Sequence, residues 1–344
     1  MRWICWWPPG LRDSSFCSSE TMTDPQGAAA HPIVILVNPA STAAHPGLVD
    51  HAERVLGPLG LRAVLTTEAR GHAAELARGA VETHGALTLV TIGGDGTAAE
   101  AAGALIGTGS ALAPMPAGST NVFARTLGWP RDCELALDEL AGELTRGTHP
   151  DRVTIGHVSA DGDDRIFIVN AGAGIDAEAA ETVERHPDMK RHIGQAWFAG
   201  ATAMAALRTR NGSGVMVSID DGAPFRLASL SVACSRPFAF FGDRPFDLIP
   251  EAGEDGALGW LGSATGGVVG PAVAVAGALT GAWHLDSSTV AHGVAHERIT
   301  MESDEGVALQ ADGEPLGRFH HAVFTPAAGL LVMRPGGGSD TARN

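Results

Sequence analysis

Lysine is almost missing from this chain of 344 residues: of 23 basic side chains, only Lys190 is not an arginine. That scarcity excludes two common ways of handling phosphate. A Walker A loop needs a Gly-Lys-Ser/Thr run, and a protein kinase needs a lysine on its third strand. Lys190 lies in HPDMKRH and fits neither. An excess of positive charge is missing too. The net charge of −16 argues against nucleic acid as a partner and gives no general attraction to anionic membranes. The four cysteines, at positions 5, 17, 133 and 234, form no C-x-x-C pair, the usage expected of a reduced, cytosolic chain. The 14 histidines contain no H-E-x-x-H motif. His292 and His296, and the adjacent His320 and His321, read as ordinary core or surface residues rather than zinc ligands. A secretory signal is also lacking, because the apolar start of MRWICWWPPGLRDSS is short and broken by Pro8 and Pro9. Residues 1–30 read as a disordered extension, with Met22 a candidate start. The uncharged stretch from Gly262 to Trp283 is rich in Gly and Ala and carries Pro271. It is too weakly apolar for a membrane span and reads as a buried helix.

What the chain has is alternation. PIVILVN, LRAVLTT, ALTLVTI and ALAPMPA read as strands. Between them PGLVDHAERVLG, GHAAELARGAVETH and TAAEAAGALIG read as helices, and two further helices carry the chain to about 147. Strand–helix alternation with short links predicts a doubly wound parallel sheet over residues 31–150. After Pro150 the pattern changes to hairpins, with turns expected at Asp161-Gly162 and Asp221-Gly222 and a long helix near 175–210. Residues 151–325 are therefore expected to form a mostly antiparallel β-sandwich domain. Residues 326–344 are expected to return toward the first domain and end in a loose tail.

The third strand runs into Gly93-Gly94-Asp95-Gly96-Thr97 and then directly into a helix. In a parallel sheet, ligands bind beyond the carboxyl ends of the strands. Glycines there let the backbone approach an anion, and the opening amides of the helix favour negative charge. Thr97 and Glu100 have the spacing of a capping box. Asp95, an acid inside an anion loop, makes sense where a divalent ion bridges acid and phosphate. A second strand end, PMPAGSTNVFARTLGWP, repeats the layout with Gly118, Ser119, Thr120 and Asn121, either as further donors or as an ordinary helix cap.

VNPAS at 37–41, GGDGT with Glu100, and AGSTNVFARTLG stand in the order and spacing of the diacylglycerol kinase catalytic domain. FIVNAGAGIDA, PEAGEDGALGWL and LQADGEPLG continue the likeness. The chain resembles the bacterial diacylglycerol kinase and YegS-like lipid kinases, relatives of the sphingosine kinases, over about residues 31–335. That resemblance implies an NAD kinase-like first domain, a β-rich lipid-binding second domain, and transfer of the γ-phosphoryl group of ATP to a lipid hydroxyl with Mg²⁺. It implies that Asn38, Gly93, Gly94, Asp95, Gly96, Thr97, Gly118, Ser119 and Asn121 bind nucleotide. It also implies that Asp95 and Asp255 hold metal, that Glu314 is base or magnesium-linked acid, and that Lys190 meets a phosphate. Glu314 shares Asp312-Gly313-Glu314 with a second acid, and Glu314 is expected to face the cleft. The expected partner is a lipid at the membrane surface, reached by a cytoplasmic, peripherally bound protein without a transmembrane segment; a homodimer is left open.

Two positions depart from the family pattern. No glycine follows Ser41, and Val122 stands where an acid is common, which puts diacylglycerol itself in doubt. Asp176 is an alternative carboxylate, or else an N-cap for the following helix. Two other functions compete: an NAD kinase-type phosphotransferase, and a non-catalytic lipid-binding protein on the same scaffold.

Overall fold

Ile33–Val37 is apolar at each position, and β1, which it forms, is buried at each position. Such a strand needs cover on both faces. The computed structural model describes residues 31–174, 177–178, 214–264, 267 and 269–336, and it supplies that cover. β2 (Leu61–Thr66) and β3 (Thr88–Gly93) flank β1 in parallel, and β4 (Ala111–Pro116) extends the sheet beyond β3. The order is β2-β1-β3-β4. Right-handed crossovers then place α1 (Pro46–Leu56) on one face and α2 (His72–His84) and α3 (Asp95–Leu105) on the other. The short α4 (Val122–Thr126) follows β4, and α5 (Cys133–Arg146) packs beside α1. The chain direction of building reverses between β1 and β3, so their carboxyl ends open a crevice.

The second half is rich in antiparallel strands. β5 (Asp151–Ala160) and β6 (Asp163–Phe167) form the expected first hairpin, and β7 (Asn170–Ala173) follows. The helix expected near 175–210 falls outside the described residues but for 177–178. Next come β8 (Val215–Ile219), β9 (Phe225–Leu227), β10 (Ser229–Ala233), and the separate ribbon of β11 (Ala239–Phe241) and β12 (Arg244–Phe246). β13 (Leu258–Ser263), α6 (Val269–Thr280), β14 (Val290–Ala295), β15 (Ile299–Ala311) and β16 (Glu314–Val332) complete the order. Val158, Phe167, Val217, Leu230, Met301 and Phe324 come from six of these strands and meet in one core. β16 pairs antiparallel with β15 and β5, and its end runs parallel to β4, so Leu331 and Val332 lie beside Ala111 and Leu112. The return toward the first domain is thus the end of one long strand.

Aspartate does two jobs at the hairpin turns. Asp161, Asp220 and Asp312 all take left-handed backbone angles, φ 47°, 46° and 49°, which Asp tolerates better than most side chains. Each carboxylate also accepts from amides of another segment: His320 and His321 for Asp161, His296, Glu297 and Arg298 for Asp220, and Ile168, Val169 and Asn170 for Asp312. This corrects the second turn expectation. The turn centres on Asp220 and Asp221, closed by Gly222 N–H to Ile219 O at 2.7 Å, one residue earlier than Asp221-Gly222. Asp220 wins because its side chain binds three amides from where it sits. Cys133 and Cys234 are free and buried, with burial pushing the Cys133 thiol up to about 12. The uncharged stretch is also corrected. α6 is buried on one side only, with Val269, Leu279 and the following Trp283 exposed.

Candidate functional site

The crevice is built by three loops pressed together. After β1, Asn38 donates from Nδ2 to Thr97 Oγ1 at 3.0 Å, and its Oδ1 accepts from Ala40 N. After β3, the chain passes Gly93 and Gly94 and enters α3 at Asp95. After β4, Ala117 and Gly118 N–H groups both donate to Gly93 O. The glycines are demanded by contact. A Cβ on Gly118 would lie 2.5 Å from Gly94 Cα, and one on Gly93 would lie 2.7 Å from Thr97 Cβ. Asn121, left-handed at φ 51°, closes its own loop through Gly118 N and O, both at 2.8 Å. Asn38 thus ties the first loop to the second, and Asn121 holds the third loop closed. Ser119 is exposed beside them.

Thr97 and Glu100 do not form a capping box. α3 starts at Asp95 with Gly94 as cap and no side-chain cap bond. Glu100 reaches across to α2, accepting from Gly71 N at 2.8 Å and Ala73 N at 3.3 Å. Burial raises its pKa against the pull of these two amides. No side chain caps the opening turn of α3, which is the arrangement an external anion requires.

Asp95 is also turned differently from the sequence expectation. Its Oδ2 accepts from Val122 N and its Oδ1 from Phe123 N, both at 2.9 Å, and Thr120 Oγ1 approaches at 3.3 Å. The acid of the glycine loop is the cap of α4. Five residues are too few to hold a helix alone, and an amide-accepting carboxylate supplies its start. Burial raises the Asp95 pKa, opposed by the amides of Phe123 and Val122. Val122 itself packs on the first domain's core, which explains why this position is apolar here. The other end of α4 is fixed by Arg125, whose guanidinium donates to Gly242 O at 2.7 Å and lies 3.7 Å from the centre of the Phe240 ring.

Glu314 comes from the second half and closes the crevice. Asp312 and Gly313, at φ 49° and 78°, make a two-residue turn between Ala311 and Glu314, as Asp-Gly does at right-twisted hairpins. The turn is locked by residues that sequence reasoning passed over. Gln310 accepts from Gly313 N and donates to Asn170 Oδ1, while Asn170 donates to Phe238 O. Both residues sat inside quoted motifs, but only the pairing of β7 with β15 reveals that they touch. Thus held, Glu314 stands over the glycine loop, its Oε1 2.9 Å from where a Gly96 Cβ would be. Arg70 Nη2, from the loop before α2, pairs with the same oxygen at 3.1 Å. The chain's shortage of lysine is met here by an arginine that no motif announced.

Asp312 is turned the opposite way, into the amides of Ile168, Val169 and Asn170. Burial pushes its carboxyl up to about 7 against those three amides, with nearby Asp95 adding repulsion. The native state therefore binds this proton more tightly than the unfolded chain. Its contribution to stability is complete below about pH 3.8 and is lost as pH rises through about 7. Urea midpoints of wild type and Asp312→Asn at a series of pH values test this. The wild type is expected to lose stability relative to the variant between these limits, and a constant difference contradicts it.

Asp255 lies in an exposed 3-10 turn, Glu254–Gly256, at φ 48°. Among the described residues no three acidic, histidine or cysteine side chains gather as a metal cage. Lys190 and Asp176 lie outside the described residues. No helix among those described is long and apolar enough to cross a membrane.

Residues 32–150 match the family described as the diacylglycerol kinase catalytic domain. No curated protein matches the chain. Two solved structures from Bacillus anthracis str. Sterne, one named a putative diacylglycerol kinase and the other a diacylglycerol kinase, share its fold. One aligns with TM-score 0.67 at 19% identity and the other with 0.60 at 16%, each over 88% of this chain and 97% of its own.

Proposed function

Since residues 32–150 match the diacylglycerol kinase catalytic domain, we propose that the chain is an ATP-dependent lipid kinase that phosphorylates the hydroxyl of a membrane lipid such as diacylglycerol. The observation that supports this most directly is the pairing of an uncapped α3 N-terminus in the glycine loop with a carboxylate, Glu314, held over it from the other half.

The residues fit a nucleotide tail. Gly93, Gly94 and Gly118 let the loops press together with no side chains between them, and the opening amides of α3 carry no side-chain cap, as a helix start that receives phosphate requires. Asn38, Thr97 and Asn121 hold these loops in register. The described residues do not build a protein cage for Mg²⁺, whose usual coordination takes one or two carboxylates together with substrate phosphates and water. Magnesium is accordingly proposed to arrive on the nucleotide, where it neutralises phosphate charge. Phosphoryl transfer depends on positioning and charge neutralisation more than on covalent help. Glu314 is proposed as the base that accepts the lipid hydroxyl proton, and Arg70 orients it. Asp95 acts at one remove, fixing α4 and with it the Gly118 loop.

The test is a labelled-ATP assay with a lipid panel: diacylglycerol, sphingoid base, ceramide, phosphatidylglycerol and polyprenol. Magnesium-dependent label in an organic-extractable product is expected for at least one of them. Label in no lipid, or equal label with Glu314→Gln, overturns the reading.

A further inference from the structure

No Asp, Glu, Lys or Arg occurs between Ala257 and Leu285, and α6 lies inside that stretch. Its two faces differ sharply. Gly270, Ala274, Gly277 and Ala278 are buried, and the glycines let the helix press down. A Cβ on Gly270 would lie 2.1 Å from Ser263 Oγ, and one on Gly277 would lie 2.4 Å from His284 Cβ. The opposite face carries Val269, Ala272, Ala276 and Leu279, all exposed, at the three- and four-residue spacing that keeps side chains on one side. Trp283 continues this stripe past the helix end. Val269, Leu279 and Trp283 are 57%, 46% and 47% exposed, and the indole N–H is already satisfied by Thr280 Oγ1 at 2.8 Å. The helix is thus seated on one side and offers an uncharged, apolar strip with a terminal indole to its surroundings.

We propose that this strip is the element by which the protein rests on a lipid bilayer, with the helix lying in the interface. The choice of partner rests on the lipid-kinase reading, and three features of the strip support it. A helix of this length is about 18 Å long and about 10 Å across, which falls far short of the ~800 Å² per partner that a stable dimer buries. A net charge of −16 sets two copies against each other. An amphipathic helix inserts only about 5–10 Å into a membrane, a depth that one row of side chains can fill, and indole is favoured at that boundary. Attachment is apolar and owes nothing to anionic headgroups.

The experiment uses the full chain with phosphatidylcholine vesicles containing diacylglycerol, measuring co-sedimentation, sedimentation velocity, and activity on vesicles and on a short-chain, water-soluble diacylglycerol. The triple variant Val269→Glu, Leu279→Glu, Trp283→Ser alters exposed positions only. Its vesicle partition is expected to fall at least about tenfold, with activity on the soluble substrate unchanged. Wild-type partition is expected to persist in about 0.5 M salt, where exposed charges are screened. Wild type that ignores vesicles, a variant that binds them equally, salt-released binding, or a wild-type dimer that the variant abolishes each overturns the proposal. Should wild type phosphorylate neither substrate while its vesicle binding still depends on the strip, the kinase reading fails and the docking surface stands.

Discussion

Glu314→Gln is expected to lower kcat by about 10²–10⁴-fold, the range that a positioned base contributes, with little change in nucleotide affinity. The geometry sets this expectation. Glu314 is anchored by the locked Asp312-Gly313 turn, leans on Gly96, and is held at 3.1 Å by Arg70. Glutamine keeps the size and a carbonyl acceptor for Arg70, and loses only the capacity to take a proton. The comparison that gives the result meaning is Asp312→Asn. Asp312 carries the raised proton affinity, about 7, which is suited to proton transfer, yet its oxygens accept from three consecutive amides that lead into β7. Asp312→Asn is therefore expected to act mainly on stability. Steady-state kinetics of both variants on the same lipid decide the assignment. If Asp312→Asn loses more turnover than Glu314→Gln while remaining folded, the inner acid is the base.

The second large effect is expected from a single methyl group. Gly118→Ala places a Cβ 2.5 Å from Gly94 Cα, and neither side of that contact has a flexible side chain to move. The two loops must separate, breaking the Ala117 and Gly118 bonds to Gly93 O and tilting the first turn of α3. Overpacking of this kind costs about 1–3 kcal/mol of stability. Nucleotide binding is expected to weaken about tenfold or more, measured by calorimetric titration. Gly79→Ala is the control. It lies on α2 with nothing within 4 Å of its added Cβ, and alanine there should stabilise by about 0.5–1 kcal/mol. Unchanged nucleotide binding in Gly118→Ala would show that the loops need not touch for the site to work.

The first half was legible because each of its strands is a bounded apolar run, and the glycine loop lies in the interval between strand and helix. The same local logic left three placements hidden. Thr97 and Glu100 have capping-box spacing, but Glu100 finds unpaired amides on α2, a neighbour that spacing along the chain does not reveal. Asp95 reads as a ligand because acids near phosphate suggest metal. Its capping of α4 was hidden, because it depends on a short helix that begins within its reach. Asp221-Gly222 is the stronger turn dipeptide, yet Asp220 gains three amides from the β14–β15 connection. In the second half, Glu314 was legible through its motif. Arg70, Gln310 and Asn170 were not, since their roles exist only once β7, β15 and the loop before α2 come together.

β16 carries Glu314 at its first position and lies beside β4 at its last. Acid and glycine loop therefore belong to one hydrogen-bonded sheet, whose last strand passes a bulge at Gly329 before it reaches β4. The two halves thus share backbone hydrogen bonds as well as a chain crossing. Cutting the chain at 325 would strip a neighbour from β4 while leaving Glu314 on the stretch of β16 that pairs with β15.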